Sequence, residues 1–451
     1  MLISRQHSKR LCLSAVNSRP NTLTIALQYG VLLLIATAWF PAVTVAPGIS
    51  VGRVVGILTF GLWSFALLCE LTVGRRPLPL SRRGYCFLLV VVLLLLVALL
   101  TRTWVVDPAG WSTRFVKLLM LIAMTAVIMT TLRSEQLLNR AFNVVIVSGT
   151  AAAIFLVIEQ ALGISLLGRE EMSTTLGTVR ATAVMQGPNS AALNLLAIVP
   201  IFYLRLREEV RRTISLSLFV ALVVVLAAIL LTLSRSAIAV LGFAWFAILC
   251  GESRKLPYLI GSLSVLGSMA ALVPEVMLTR LQRVAEFVRS SGPLESFADV
   301  SLLERWALVE SGLGVFKDHP LLGVGLGQFA QESVKYGALR QSFAHNAYLE
   351  VLAELGLVGF LLFGTAMFMI VAGIGRVIHC FGAPLRANIR GLQLGLLSFL
   401  VGSLTLSSHY FEVLWVLAGL SLACHGLAQR RAVFSGQRRI GHPIRHGNRL
   451  L

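Results

Sequence analysis

Apolar runs long enough to cross a bilayer recur along almost the whole chain and constrain its fold more than any other feature. A membrane-crossing helix needs about 20 mostly apolar residues. The chain of 451 residues is 57% hydrophobic and only 13% charged, which excludes a soluble globular domain. We therefore predict an all-α polytopic membrane protein with about 12 transmembrane helices, at residues 22–40, 54–71, 85–101, 115–131, 141–162, 190–204, 214–233, 236–251, 257–273, 349–374, 391–407 and 410–428.

The number of crossings depends on two pairs of runs that are divided by only two residues. Ser234-Arg235 separates 214–233 from 236–251, and Ser408-His409 separates 391–407 from 410–428, so ten or eleven crossings are alternatives. Twelve crossings place the Lys and Arg residues of alternate short loops and of both termini on one side, which we expect to be cytoplasmic. This distribution also explains most of the net charge of +19. Topology and contact with anionic lipids therefore account for the charge better than nucleic-acid binding.

The predicted organisation has four parts. Residues 1–273 hold the first nine helices, 274–348 form one large extramembrane loop domain, 349–428 hold three more helices, and 429–451 form a basic tail that we expect to be disordered. Within the loop domain, a helix is predicted from Val300 to about Phe316, and Gly323-Val324-Gly325-Leu326-Gly327 predicts a turn. Long loops in compact proteins usually carry function, so candidate residues are sought here first.

His345-Asn346 lies where this loop domain meets the helix that follows. Histidine has the unperturbed pKa nearest neutral pH, so His345 could accept a proton from a substrate hydroxyl, although it could also merely cap the helix. A base at a helix mouth could meet a lipid-borne and a water-borne substrate together. Asn346 could cap the helix or orient a sugar, and His409, in the other tight turn on this side, is a rival base.

Arginines on the same side are candidate anion-binding residues. Arg235 lies between two apolar runs, where a charge at bilayer depth costs about 2.5–3.5 kcal/mol, so it either faces a cavity or extends to the headgroups. Arg305 lies on the loop helix with His319 nearby, and its alternative is a solvated helix face. Two convergent guanidinium groups could hold a diphosphate through charge-assisted hydrogen bonds.

The other long loop on this side, about 163–189, contains Arg180 and ends in Gly187-Pro188-Asn189-Ser190. As a local pattern this is a helix start with Asn189 or Ser190 as the cap. The carboxylates on this side show no metal-binding spacing, and the glycine turn of the loop domain lacks the context of a nucleotide loop. We therefore predict neither a metal nor a cofactor.

Two stretches strongly resemble the O-antigen ligase and polymerase family of bacterial glycosyltransferases. The first lies in the loop domain and reads Phe316-Lys317-Asp318-His319-Pro320-Leu321-Leu322-Gly323-Val324-Gly325-Leu326-Gly327-Gln328-Phe329. The second crosses from the loop domain into the next helix and reads His345-Asn346-Ala347-Tyr348-Leu349-Glu350-Val351-Leu352-Ala353-Glu354-Leu355-Gly356-Leu357-Val358-Gly359. The Leu233-Ser234-Arg235-Ser236 and Gly187-Pro188-Asn189 turns resemble that family's patterns as well. The resemblance implies a C-type glycosyltransferase fold in the bacterial inner membrane, with its active site at the periplasmic face.

The family also implies the substrates and the roles of residues. The donor would be a glycan on undecaprenyl diphosphate, His345 would act on the acceptor, and Arg235 and Arg305 would bind the diphosphate. Asn346, Arg180, Asn189 and His319 are further candidates for substrate binding.

The expected function is that of an inverting, metal-independent O-antigen ligase with lipid A-core as the acceptor. Three alternatives stay open: a polymerase that joins lipid-linked repeats into O-antigen or exopolysaccharide, a protein O-oligosaccharyltransferase, and a transporter of lipid-linked glycans. A transporter should line its central helices with several charges, whereas the intramembrane charges here are few and cluster at the outer mouth. This favours an enzyme.

Overall fold

Helices dominate the part of the chain described by the computed structural model, which covers residues 22–46, 48–72, 80–163, 173–175, 178–180, 185, 187–251 and 300–440. The helices are α1 (Thr22–Thr37), α2 (Val51–Thr72), α3 (Arg82–Leu100), α4 (Pro108–Thr131), α5 (Glu135–Leu162), α6 (Pro188–Leu196), α7 (Val199–Glu208), α8 (Arg212–Leu231), α9 (Arg235–Cys250), α10 (Val300–Asp318), α11 (Phe329–Glu332), α12 (Ala347–Val371), α13 (Ile374–Val377), α14 (Ala383–Gly402) and α15 (Glu412–Ile440). Short 3-10 turns lie at Thr101–Thr103, Ser333–Tyr336 and Ile378–Cys380.

Two small antiparallel hairpins are the β-structure of the described residues. Strand β1 (Thr44–Ala46) pairs with β2 (Ile49–Ser50) directly before α2. Strand β3 (Ser173–Thr175) pairs with β4 (Thr178–Arg180), with Ser173 opposite Arg180. Neither hairpin extends into a larger sheet, so the predicted all-α class describes this part of the chain well.

Eight of the described elements are long and apolar enough to cross a bilayer: Val51–Thr72, Arg82–Thr103, Pro108–Thr131, Glu135–Leu162, Pro188–Glu208, Arg212–Leu231, Ala347–Cys380 and Glu412–Ala432. Helices α1 and α9 are apolar but have only 16 residues each. The predicted crossing at 257–273 and the start of the predicted loop domain, 274–299, lie outside the described residues. A polytopic membrane protein is therefore supported, whereas twelve crossings are not confirmed.

Three predicted runs differ from the observed helices. The run at 190–204 is two helices, because Pro200 lacks an amide proton and stands in the first turn of α7. Helix α14 begins at Ala383 and ends at Gly402, and residues 403–411 then form a loop in place of a two-residue turn. Helix α15 continues to Ile440, so the first part of the basic tail is helical.

Helix α15 lies at the centre of the bundle and α2 at its edge. In α15, 83% of the most apolar window is buried, against 6% in α2. The Oγ1 of Thr125 on α4 donates to the backbone carbonyl of Trp415 on α15 at 2.9 Å. A Cβ on Gly419 would lie 2.8 Å from Ile128, so this small residue lets α4 and α15 pack closely.

Glycines also bring α14 against the junction of α6 and α7. A Cβ on Gly391 would lie 2.5 Å from the Cα of Ile201, and one on Gly395 would collide with the carbonyl of Ala197. Glycines four residues apart lie on one helix face, which is the arrangement that lets transmembrane helices approach most closely. Helix α14 therefore packs directly against the backbone at the break between α6 and α7.

One set of arginine contacts lies where the ends of α2, α4 and α7 meet the start of α5. Arg133 pairs with Glu70 at 3.4 Å, Arg205 donates to the Asn139 side chain at 3.3 Å, and Arg431 pairs with Glu135. The opposite end of the bundle holds the end of α3, the start of α4, the α8–α9 turn, the start of α12 and the 403–411 loop.

The turn at 320–327 inserts into a break in α12, which joins the loop domain to the bundle. Gly356 has φ +62°, a conformation that favours glycine, and the regular hydrogen-bond ladder of α12 stops there. The amide of Gly325 donates to the carbonyl of Glu354 at 2.9 Å, and the amide of Leu357 donates to the carbonyl of Pro320 at 2.8 Å. The predicted turn therefore has a structural role in docking.

A second set of contacts fixes the same turn to the end of α3 and the start of α4. The side-chain amide of Gln328 bonds both backbone groups of Asp107: it accepts from the amide at 2.7 Å and donates to the carbonyl at 3.0 Å. The indole of Trp104 donates to the carbonyl of Gly323 at 3.2 Å. The loop domain is thus attached at two places, the break in α12 and the junction between α3 and α4.

Candidate active site

His345 lies at the mouth of α12 in a strained backbone conformation. Its φ is +50°, and Leu233, in the α8–α9 turn, is the other non-glycine residue of the described ranges with a positive φ. Such conformations cost of order 1–3 kcal/mol and persist where surrounding contacts fix them. The His345 side chain is half-buried, and its Nδ1 has no hydrogen-bond partner within the described structure.

The surroundings of His345 keep its imidazole neutral. Burial is the main cause, and the nearby guanidinium groups of Arg305 and Arg340 add to it, so that the pKa falls from 6.5 to about 4. A neutral imidazole is the form that can accept a proton. The same arginines make this a position where an added negative charge would raise the pKa again.

Asn346 caps α12. Its Oδ1 accepts hydrogen bonds from the amides of Tyr348 at 3.0 Å and Leu349 at 3.2 Å. Its backbone is extended, as is typical of a residue that precedes the first helical turn. Of the two roles predicted for Asn346, the capping role is the one with observed contacts.

Arg305 lies on α10, which packs against the start of α12. A Cβ on Gly312 would lie 2.8 Å from the Leu349 side chain, so the two helices are in close contact. The Nη1 of Arg305 donates to the carbonyl of Thr405, in the 403–411 loop, at 3.4 Å. The adjacent Glu304 forms its ion pair with Arg340, at 2.8 Å.

Arg235 begins α9, two residues after the strained Leu233. Ser234 and Ser236 flank it, and their hydroxyl groups are 3.2 Å apart. A small cavity lies beside this turn, between α6, α9 and the 403–411 loop, and its lining includes Asn189, Ser234, Ser236 and Thr405. The α8–α9 turn, the start of α6 and the loop that Arg305 contacts therefore meet at one place.

The other three predicted substrate-binding residues, Asn189, Arg180 and His319, lie in three separate parts of the structure. Asn189 lies in the first turn of α6 and lines the cavity just described, and Gly187 occupies the cap position that had been predicted for Asn189 or Ser190. Arg180 ends strand β4, and only its backbone is described. His319 is exposed after α10, and no contact between its side chain and His345 is present in the described structure.

His409, the rival base, is enclosed within the bundle. Its side chain is 6% exposed, and the Nε2 lies 4.0 Å from the Oε1 of Glu350. Burial, with Arg114 and Lys117 nearby, lowers the pKa of His409 to about 3. Because a base must be able to reach the acceptor hydroxyl, this enclosed position favours His345 over His409.

Two charged residues near His345 were not predicted from the sequence. Glu350, one turn into α12, is 2% exposed and accepts hydrogen bonds from the Ala344 amide at 3.1 Å and from the Ser407 hydroxyl. Arg114 on α4 stacks over the rings of Phe343 at 4.7 Å and Tyr410 at 5.0 Å. The available signal was a carboxylate inside a predicted crossing, because such residues are often functional.

No group of three His, Cys, Asp or Glu side chains in the described ranges is arranged to hold a metal ion. The clustered groups of the site are instead guanidinium groups, hydroxyl groups and one accessible imidazole. Such an arrangement can bind a phosphate-rich anion and accept a proton beside it.

Comparison with known protein families matches residues 220–364 to the O-antigen ligase family. The matched segment begins within α8 and ends within α12, so it contains Arg235, Arg305, His319, His345 and Asn346. A comparison with curated proteins finds no similar sequence. Together with the apolar helices, the family match indicates a multi-pass membrane protein. The match confirms the resemblance seen in the sequence over residues 220–364, where the chain is similar to the O-antigen ligase family.

Proposed function

We propose that this protein is an inverting glycosyltransferase of the O-antigen ligase type, which moves a glycan from undecaprenyl diphosphate to a hydroxyl of lipid A-core. The observation that carries the proposal is a strained His345 at the mouth of α12, with the Arg305 guanidinium close enough to help lower the pKa of its imidazole. An imidazole that accepts a proton and a cation that binds an anionic leaving group are the two components that this transfer needs.

The diphosphate of the donor would bind to Arg305 and Arg235. Arg305 reaches the 403–411 loop at Thr405, and the same loop lines the cavity beside Ser234 and Ser236, the neighbours of Arg235. Guanidinium groups form two parallel hydrogen bonds to phosphate oxygens and stay charged at all physiological pH values. The two arginines would therefore stabilise the negative charge that grows on the departing diphosphate.

Binding of the donor also changes the basicity of His345. The positive charges of Arg305 and Arg340 contribute to its low pKa in the free protein. A bound diphosphate offsets these charges, so the imidazole becomes a stronger base once the donor is in place. This coupling limits deprotonation of the acceptor to the complex in which transfer can follow.

The transfer then couples a proton transfer, the formation of one bond and the cleavage of another. His345 takes the proton of the acceptor hydroxyl, and the acceptor oxygen forms a bond to the anomeric carbon. The bond between that carbon and the diphosphate oxygen breaks, and its electron pair stays with the undecaprenyl diphosphate. Attack from the face opposite the leaving group inverts the anomeric centre, and the proton later passes from His345 to solvent.

The site would face the periplasm. The end of the bundle that carries His345 is opposite the end that carries Arg133 and Arg205 of the short basic segments, and short basic loops favour the cytoplasm. Lipid-linked glycans and lipid A-core are both membrane-borne, so a site at a helix mouth suits two substrates that arrive in the same leaflet.

The proposal is tested with purified protein in lipid nanodiscs, an undecaprenyl-diphosphate-linked glycan and lipid A-core. The expected result is glycosylated lipid A-core with an inverted anomeric centre, formed equally well with a chelator present. Extension of the lipid-linked glycan without use of lipid A-core would instead identify a polymerase. Absence of transfer to either acceptor, with translocation of the glycan across the bilayer when the same protein is placed in sealed proteoliposomes, would contradict the proposal and favour transport.

A further inference from the structure

Glu350 joins the two loops that carry the candidate residues. Its Oε2 accepts the amide proton of Ala344, directly before His345, at 3.1 Å. The same oxygen accepts the hydroxyl proton of Ser407, in the 403–411 loop. Arg305 contacts that loop at the carbonyl of Thr405, two residues before Ser407. One carboxylate oxygen therefore links the backbone of Ala344, the residue before His345, to the loop that Arg305 binds.

The backbone around His345 is held from both sides. Ala344 is fixed by Glu350, and the amide of Ala347 donates to the carbonyl of Ser403 at 2.9 Å. Between these attachments His345 adopts a φ of +50°. A strained conformation of this kind relaxes when the contacts that impose it are removed. Glu350 bonds Ser407 and Ala347 bonds Ser403, so both attachments connect this backbone to the 403–411 loop. The position of the imidazole therefore depends on that loop.

The carboxylate of Glu350 is deeply buried, and the charges around it come from several elements. Arg114 on α4 is close enough to interact with it electrostatically, and Arg114 also stacks on Phe343 and Tyr410, one residue from each of the two loops. His409 lies 4.0 Å away, and Glu354 lies one turn further along α12. A buried carboxylate is retained only where hydrogen bonds and an opposite charge compensate its desolvation.

We infer that Glu350 is a positioning residue, which sets the geometry of the base and of the donor-binding arginine relative to each other. The inference rests on the proposed function and extends it to a residue that need not touch either substrate. A competing structural role exists, because an acidic residue in the first turn of a helix stabilises the helix through the helix dipole. The two roles differ in what they require: positioning needs an acceptor oxygen, whereas the dipole interaction needs a negative charge.

Substitutions at Glu350 separate these roles. Glu350→Ala removes the acceptor and should lower kcat about 10- to 100-fold, the loss typical of a base displaced by about 1 Å. Glu350→Gln keeps an oxygen that can accept both hydrogen bonds and should retain most of the activity. If Glu350→Gln is as slow as Glu350→Ala, the positioning role is wrong. Ser407→Ala should also lower kcat, but by a smaller factor than Glu350→Ala.

A double substitution tests whether Glu350 acts through His345. Glu350→Ala should cause no further loss in a His345→Ala protein, whereas an independent structural role would lower the rate by the same factor in both backgrounds. Glu412→Ala is the matched control, because Glu412 is a first-turn carboxylate of α15 that pairs with Lys117 at 3.4 Å. It should leave kcat per folded molecule unchanged. Absence of transfer by the wild-type protein would contradict the proposed function itself. A wild-type rate for His345→Ala would contradict the base role of His345, whereas a slow His345→Ala with an active Glu350→Ala would contradict only the positioning role.

Discussion

Gly356 lies so close to the backbone of Leu321 that a Cβ atom on residue 356 would not fit between them. A Cβ on Gly356 would collide with the carbonyl group of Leu321, and one on Gly323 would collide with the carbonyl group of Glu354. Both glycines have positive φ, at +62° and +68°. The loop domain is thus attached to α12 by backbone contacts that only glycine permits.

Gly356→Ala should therefore destabilise the protein by about 2–5 kcal/mol, the sum of backbone strain and overpacking. Thermal unfolding of the protein in detergent measures the effect. Gly364→Ala is the control, because Gly364 lies in the regular part of α12 with open space beside it and should be neutral or slightly stabilising. Equal stability of the two variants would show that the turn does not occupy the break in α12.

Asn346→Ala should cost about 0.5–2 kcal/mol, because two amides at the start of α12 lose their acceptor. Asn346→Asp and Asn346→Ser keep an acceptor oxygen and should restore most of this stability and most of the activity. Unfolding and transfer rates measured together distinguish this cap from a sugar contact. A variant that is fully stable but inactive would assign Asn346 to the substrate instead.

The pH dependence of transfer should follow His345. Its pKa of about 4 in the free protein places the acidic limb of kcat/KM well below pH 6. Arg305→Gln removes one of the charges that lower this pKa, so the acidic limb should move to higher pH. Arg305→Lys keeps the charge, so the limb should stay at the wild-type pH. A limb that stays in place in Arg305→Gln would mean that another group controls the profile.

The free energy of unfolding should fall with decreasing pH because of the same imidazole. The pKa of His345 is depressed in the folded protein, so the unfolded chain binds a proton first as the pH falls below about 6.5. The stability from this group is present above that pH and is lost as the pH falls towards 4. His345→Gln should remove this part of the pH dependence, which chemical unfolding at several pH values measures.

Arg235→Gln and Arg305→Gln should each raise the KM for the donor about 10- to 100-fold, the effect of losing a charge-assisted hydrogen bond. The KM for the acceptor should change much less. Arg102→Gln is the control, because Arg102 is an exposed arginine at the same end of the bundle, stacked on Trp111. Equal donor KM in all three variants would contradict the diphosphate-binding role.

Much of the architecture follows from the sequence because apolar length and loop charge are local properties. The eleven predicted crossings in the described ranges all fall on helices, and the helix predicted at Val300–Phe316 is observed at Val300–Asp318. Helix α14 is not among the eight elements that are long and apolar enough to cross a bilayer, because its first half carries Arg386, Asn388, Arg390 and Gln393, which shorten its apolar stretch. The end of α14 also depends on Arg305 and Tyr348, which contact residues 400–405 from elsewhere in the chain.

The site was predictable only in part. Arg235, Arg305 and His345 stand out because a charged or titratable residue at a helix mouth is conspicuous in an apolar sequence. Glu350 and Arg114 do not, because their importance comes from contacts with Ala344, Ser407 and Phe343, which no spacing in the sequence indicates. Leu233 and His345 share a strained backbone, a property that appears only in three dimensions.

The assignment of His345 as the base is tested by the initial rate of transfer from an undecaprenyl-diphosphate-linked glycan to lipid A-core by His345→Ala and His345→Gln proteins. Both variants should remain folded, should bind the donor, and should lose at least about 100-fold in kcat, the contribution typical of a general base. His409→Gln, measured beside them, should retain a larger share of the rate. A near wild-type kcat for His345→Ala would contradict the assignment, and a selective loss in His409→Gln would transfer the role to that residue.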